Sequence, residues 1–143
     1  MIHNFNTTQI DTWDNTRPLL LVKSTSYTQD EKIDQLFDAM MDYENWAVKN
    51  NSKHKNIRRL LLVVTGAGPR KKMFQELIEE KKSSWKFIQI EMIWFRAEDY
   101  PLILAAADVG VCLHYSSSGL DTPMKIIDMY GAGLPVLAAE YPW

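Results

Sequence analysis

Short, wholly apolar runs alternate along the chain with longer stretches in which apolar side chains recur every third or fourth position. Residues 19–22 read LLLV and residues 60–64 read LLLVV. Each is too short for a helix, and each is the mark of a strand buried on both faces. Between them, Ile33, Leu36, Phe37, Met40 and Met41 form one stripe of an amphipathic helix expected over residues 30–49. Thr28 or Asp30 is its expected N-cap. A second helix is expected over residues 70–82, with Met73, Phe74, Leu77 and Ile78 on one face. Further strands are expected at 87–93, 108–113 and 135–138. Short helices are expected at 98–107 and from Pro123 to Tyr130, with Gly131 and Gly133 suited to the C-cap. Apolar strands alternating with helices predict a parallel sheet covered on both faces, a doubly wound, Rossmann-like α/β domain.

Residues 1–17 are polar and read as an irregular arm, leaving residues 18–143 as one domain. A strand as late as 135–138 is ordinarily followed by a helix that covers the sheet. The expectation is therefore a domain truncated at its C-terminal side, with an exposed apolar patch.

Composition adds mostly exclusions. With 143 residues, 46% apolar and 24% charged, the chain can bury one sizeable core. A net charge of −2 gives no sign of a dedicated nucleic-acid or membrane-surface binder. No apolar stretch approaches the roughly 18–20 residues that span a bilayer, and the N-terminus lacks the pattern of a signal peptide. The one cysteine, Cys112, lies in an apolar run and reads as a small buried hydrophobe. The five tryptophans, at 13, 46, 85, 94 and 143, are scattered, and packing against the sheet is expected for most of them.

In a doubly wound sheet the ligand lies beyond the carboxyl ends of the strands, and two loops stand out there. Gly66-Ala-Gly68-Pro69 joins a strand to a helix. It reads either as a place where backbone approaches a ligand or as a plain tight turn. The third glycine of the dinucleotide fingerprint is absent, with Lys71 and Lys72 in its region, which speaks against an NAD-dependent dehydrogenase. The second loop runs from Ser116 to Asp128. There Ser117, Ser118 and Gly119 could donate to phosphate oxygens, Lys125 could neutralise a phosphate, and Asp128 could accept both hydroxyls of a ribose. The alternative makes Ser118 a cap, Asp121 a turn residue, and Lys125 and Asp128 part of a solvated face. His114 follows the fourth strand toward the same edge. No histidine, cysteine or acid cluster has metal-ligand spacing, so no protein-bound metal is expected.

Several stretches resemble a known family: residues 17–28 (RPLLLVKSTSYT), 64–69 (VTGAGP), 97–102 (AEDYPL), 107–114 (ADVGVCLH) and, most specifically, 116–131 (SSSGLDTPMKIIDMYG). Together they resemble the C-terminal donor-binding domain of GT-B glycosyltransferases, and more narrowly the chitobiosyldiphosphodolichol β-mannosyltransferases. The resemblance implies an inverting enzyme at the cytosolic face of the endoplasmic reticulum membrane. It would transfer mannose from GDP-mannose to a dolichol-linked chitobiose acceptor with no obligatory metal or other cofactor. It also implies that Asp128 holds the donor ribose, that Lys125 and the backbone from Ser117 to Gly119 lie near the diphosphate, and that Gly66 and Gly68 line the nucleotide cleft; His114, which could contact phosphate or sugar, and Asp121 are further candidate donor-site residues. Many GT-B relatives carry two glutamates eight residues apart at this site. Asp128 stands at the later position and the earlier one is not glutamate. The family's N-terminal domain, with membrane anchor, acceptor groove and catalytic base, has no counterpart among these residues. No catalytic residue is therefore expected in the chain, and the chain by itself is not expected to turn over. The other reading is a non-catalytic interaction module that binds further glycosyltransferase subunits.

Overall fold

The computed structural model describes residues 17–54, 56–115 and 122–140. Five strands form one parallel sheet: β1 (Leu19–Ser24), β2 (Leu60–Thr65), β3 (Ile88–Met92), β4 (Val109–Cys112) and β5 (Val136–Ala138), in the order β3-β2-β1-β4-β5. All four pairings are parallel, with Leu19 opposite Leu60 and Leu21 opposite Val109. The chain builds outward from β1 in one direction, then returns and builds outward in the other. The point of reversal lies between β1 and β4, where a doubly wound sheet leaves a crevice at its carboxyl edge.

The helices are α1 (Ile33–Asn50), α2 (Lys71–Lys81), α3 (Tyr100–Ala106) and α4 (Met124–Gly131). Alternate strand positions send side chains to opposite faces. Leu21, Leu62, Val64, Ile88 and Ile90 pack under α1 and α2 against Leu36, Phe37, Met40, Phe74 and Ile78. Val22 points the other way, to Leu104 of α3, Met129 of α4 and Leu134. Each such side chain removed from water contributes about 2 kcal/mol. Arg17 binds Asp108, whose carboxylate also accepts the Leu20 N–H at 2.8 Å, joining the start of β1 to the turn before β4.

The expected stripe of α1 is buried at Ile33, Leu36, Phe37 and Met40 and partly buried at Met41, but the helix starts later than expected. Neither Thr28 nor Asp30 caps the helix. Gln29–Glu31 forms a separate 3-10 turn, and Lys32 precedes α1 in a left-handed conformation (φ 46°) without a side-chain cap. At the far end of α4 the glycine stop is made by Gly133 alone, since Gly131 is the last helical residue and Ala132 the cap. Gly133 adopts φ 72°, and the N–H groups of Gly133 and Leu134 return to the carbonyls of Tyr130 and Met129 at 2.9 Å. Cys112 is buried. Of the described tryptophans only Trp85 packs on the core, against Phe37; Trp46 and Trp94 are exposed, contrary to expectation. Among the described residues no helix is long and apolar enough to cross a membrane.

Candidate functional site at the carboxyl edge of the sheet

Three segments meet where β1 and β4 end: the loop that follows β1, the loop Gly66–Pro69 after β2, and the start of α4. The first two touch backbone to backbone. A Cβ on Gly66, which has φ 135°, would lie 1.8 Å from the carbonyl oxygen of Thr25, and one on Gly68 would lie 1.6 Å from that of Ser26. Both glycines are thus required by the close approach of one loop to the other. Lys71 folds back onto the same turn and donates to the Gly66 carbonyl at 3.2 Å.

The loop after β1 is wound tightly. Tyr27 and Lys32 both occupy the left-handed region without being glycine, an arrangement that packing must hold in place. Its effect is to turn Glu31 inward, where its side chain is fully buried. One carboxylate oxygen accepts from the ammonium of Lys23, also fully buried, at 3.3 Å. The other accepts from Lys125 of α4 and from the Ser26 hydroxyl at 3.1 Å. The imidazole of His114, just past β4, brings Nδ1 to 2.9 Å from an oxygen of Asp30 and 3.8 Å from Glu31.

Burial would push the Glu31 carboxyl up. The hydrogen bond from Lys125 and the charges of both lysines outweigh that and hold it below its ordinary value. Burial pulls the Lys23 ammonium down, against the attraction of Glu31. Glu31 is therefore ionised at neutral pH, with two lysines around one carboxylate. Lys125 remains 27% exposed at the side chain, as does His114, so these two face the crevice while Lys23 lies beneath it. Lys23 and Lys125 stand against the carboxylates of Glu31 and Asp30, so the charges balance, and Lys125 is the partly exposed ammonium that an anionic ligand could reach.

Of the residues expected to form a site, Gly66, Gly68, His114 and Lys125 converge on this edge through Thr25, Ser26 and Glu31. Asp128 lies one turn further along α4 and is exposed. Ser117, Ser118, Gly119 and Asp121 lie outside the described residues. Lys23 and Glu31 are the members that sequence reasoning missed. Lys23 carried a signal, as a charged residue in an apolar run at the carboxyl end of a strand. Nothing in the polar run around Glu31 distinguishes it from its neighbours. Among the described residues no three histidine, cysteine or acidic side chains assemble as a metal site.

No protein-family model matches the chain. The human chitobiosyldiphosphodolichol β-mannosyltransferase is 46% identical over 125 residues, which is 87% of this chain and 26% of the human protein. The chain is related in sequence to these β-mannosyltransferases. The β-mannosyltransferase of Candida glabrata is 44% identical over 123 residues. The UDP-glycosyltransferase TURAN of Arabidopsis thaliana is 42% identical over 134 residues. The chain spans about a quarter of the length of these relatives. Among solved structures, the pneumococcal O-GlcNAc transferase GtfA in complex with UDP and GlcNAc matches 90% of this chain and 22% of its own, with a TM-score of 0.62 at 18% identity. TarM matches with a TM-score of 0.63 at 14% identity, again over 90% of this chain and 22% of its own. The fold is thus that of one part of the GT-B glycosyltransferases, as the resemblance implied.

Proposed function

We propose that this chain is the donor-binding part of a mannosyltransferase that uses GDP-mannose and a dolichol-linked chitobiose acceptor. The observation that carries the reading is the partly exposed Lys125 held by Glu31 at the carboxyl edge where the sheet reverses, on a chain related to β-mannosyltransferases over most of its length. A nucleoside diphosphate brings at least two negative charges and a ribose. Lys125 and His114 would meet the phosphates, and Ser117, Ser118, Gly119 and Asp121 are the further residues proposed to bind the donor. Asp128, on the same helix as Lys125, would accept the ribose hydroxyls. Gly66 and Gly68 would line the cleft indirectly, by letting their loop sit against the one that carries Ser26 and Glu31. Lysine rather than a metal ion would neutralise the diphosphate, and no other cofactor is required. The complete enzyme would work at the cytosolic face of the endoplasmic reticulum membrane and draw its acceptor groove and catalytic base from residues beyond this chain.

Calorimetric titration with GDP and GDP-mannose tests this, with an Asp128→Ala variant alongside. The expected result is saturable binding that the variant weakens by about tenfold or more, as loss of hydrogen bonds to a charged acceptor predicts. A folded chain that binds neither ligand would overturn the reading.

A second reading has its own observation. Met124, Ile127 and Tyr130 of α4 are exposed, as are Leu102 of α3 and Leu137 of β5. That apolar surface suits an interaction module that docks on another glycosyltransferase subunit. Co-purification of a defined partner from cells, lost when Ile127 and Tyr130 are made polar, would support it. A solitary chain would exclude it.

A further inference from the structure

Glu31 has more positive partners than it needs. One ammonium neutralises one carboxylate, yet two lysines converge on it from different elements, Lys23 from β1 and Lys125 from α4. The two are not equivalent. Lys23 is wholly buried beneath the crevice, whereas Lys125 is partly exposed and rooted in the first turn of α4. Only Lys125 is placed to leave Glu31 for an anion in the crevice. If it were the sole partner, its departure would leave a carboxylate unpaired in a dry interior. That would oppose ligand binding by roughly a hundredfold or more.

We propose that Lys23 is a reserve cation, which keeps Glu31 neutralised while Lys125 transfers from Glu31 to a bound diphosphate. This rests on the donor-site reading above and adds a positioning role for two residues outside the expected site. In the unliganded protein Lys125 is held by Glu31 at the mouth of the crevice, already oriented. When a diphosphate arrives the ammonium exchanges one oxygen partner for another, and Lys23, with the Ser26 hydroxyl, remains on the carboxylate. The exchange is between partners of like charge, so it adds no unpaired charge to the interior.

The test is a double-mutant cycle on the 143-residue chain, read by calorimetric titration with inorganic pyrophosphate and with GDP. Lys23→Met is expected to weaken both ligands by roughly a hundredfold or more, because Glu31 then has only Lys125 and holds it. In a Glu31→Gln background, Lys23→Met is expected to change binding by less than about twofold, since no carboxylate is left to restrain Lys125. Equal losses in the two backgrounds would mean simple attraction between Lys23 and the anion, and would overturn the proposal. So would a Lys23→Met variant that binds as the unaltered chain does. If Glu31→Gln does not fold, the 15N signal of the Lys125 ammonium replaces it. That signal is expected to shift on addition of pyrophosphate in the unaltered chain and far less in Lys23→Met; equal shifts would overturn the proposal. If the unaltered, folded chain binds neither pyrophosphate nor GDP, the donor-site reading falls and this inference with it. Binding to the unaltered chain without the Lys23 dependence removes the inference alone.

Discussion

Tyr27 carries a left-handed backbone and a fully buried ring, and its hydroxyl has no hydrogen-bond partner among the described residues. Burial pushes its phenol up to about 12. Because the folded protein disfavours the phenolate, this group's contribution to stability is complete below the unfolded value of about 10 and is lost as the pH rises past it. Tyr27→Phe removes a buried polar atom that makes no bond and keeps the ring against Phe74. The expected outcome is a gain of about 1 kcal/mol in urea unfolding at neutral pH, with a smaller decline above about pH 10. A loss of stability would show that the hydroxyl has a partner after all. At this scale the sequence was only partly legible. Lys125, His114 and the two glycines could be placed at the edge because each sits in or beside a recognisable loop. Glu31 could not, since its burial follows from the left-handed turn at Lys32, and neither lysine nor its neighbours give a local signal for φ above zero.

Elements were more legible than residues. The inner strands β1 and β2 begin in the apolar runs LLLV and LLLVV, whereas β3 at the sheet edge reads IQIEM and alternates, with Gln89 exposed. The helical stripe of α1 is buried at Ile33, Leu36, Phe37 and Met40, yet one of its inward positions is an acid. Glu44 accepts the backbone N–H groups of Lys86, Phe87 and Ile88 at 2.8–3.0 Å and so ties the last turns of α1 to the entry of β3. A periodicity count treats Glu44 as a break in the apolar face, whereas it serves three donors that would otherwise be unpaired at the strand entry. Glu44→Gln replaces one acceptor oxygen by an NH2 group facing donors. We expect a loss of about 2 kcal/mol, measured as a lower urea midpoint with an unchanged slope. A change under about 0.5 kcal/mol would mean that water serves those N–H groups equally well.

For the whole molecule, the net charge of −2 conceals how the acids are used. Four carboxyls are held below their ordinary values. Asp30 is lowered first by its hydrogen bond with Thr28, and Asp99 by Arg96. For Glu31 and Asp108 burial acts upward, but Lys125 and Arg17 respectively lead the opposing effects and prevail. A depressed carboxyl stabilises the fold fully above its unfolded value of about 4, and that contribution is lost as the pH falls. Stability should therefore be nearly flat from pH 7 to about 5 and decline below it. Asp30 is 43% exposed, and Asp99 pairs with the exposed Arg96 three residues before it, so both contribute little and the decline should come mainly from Glu31 and Asp108. Urea midpoints across that range check this, and Asp108→Asn should show a lower starting midpoint with a shallower decline. An identical slope would assign the acid sensitivity elsewhere. The strand order, too, was beyond the sequence. The runs reveal that a parallel sheet forms, but the reversal between β1 and β4 depends on which strands become neighbours.

The contact between the loops after β1 and β2 has a consequence for how inherited or engineered changes should be interpreted. Gly66 and Gly68 each leave less than 2 Å between the place of a Cβ and a carbonyl oxygen of the neighbouring loop. Even alanine cannot enter without parting the two segments. A substitution at either glycine would lower the amount of folded protein in a cell before it altered the affinity of the molecules that remain. A failing phenotype traced to these positions would be a defect of abundance, and a chaperone or a lower growth temperature would relieve it where extra donor substrate would not.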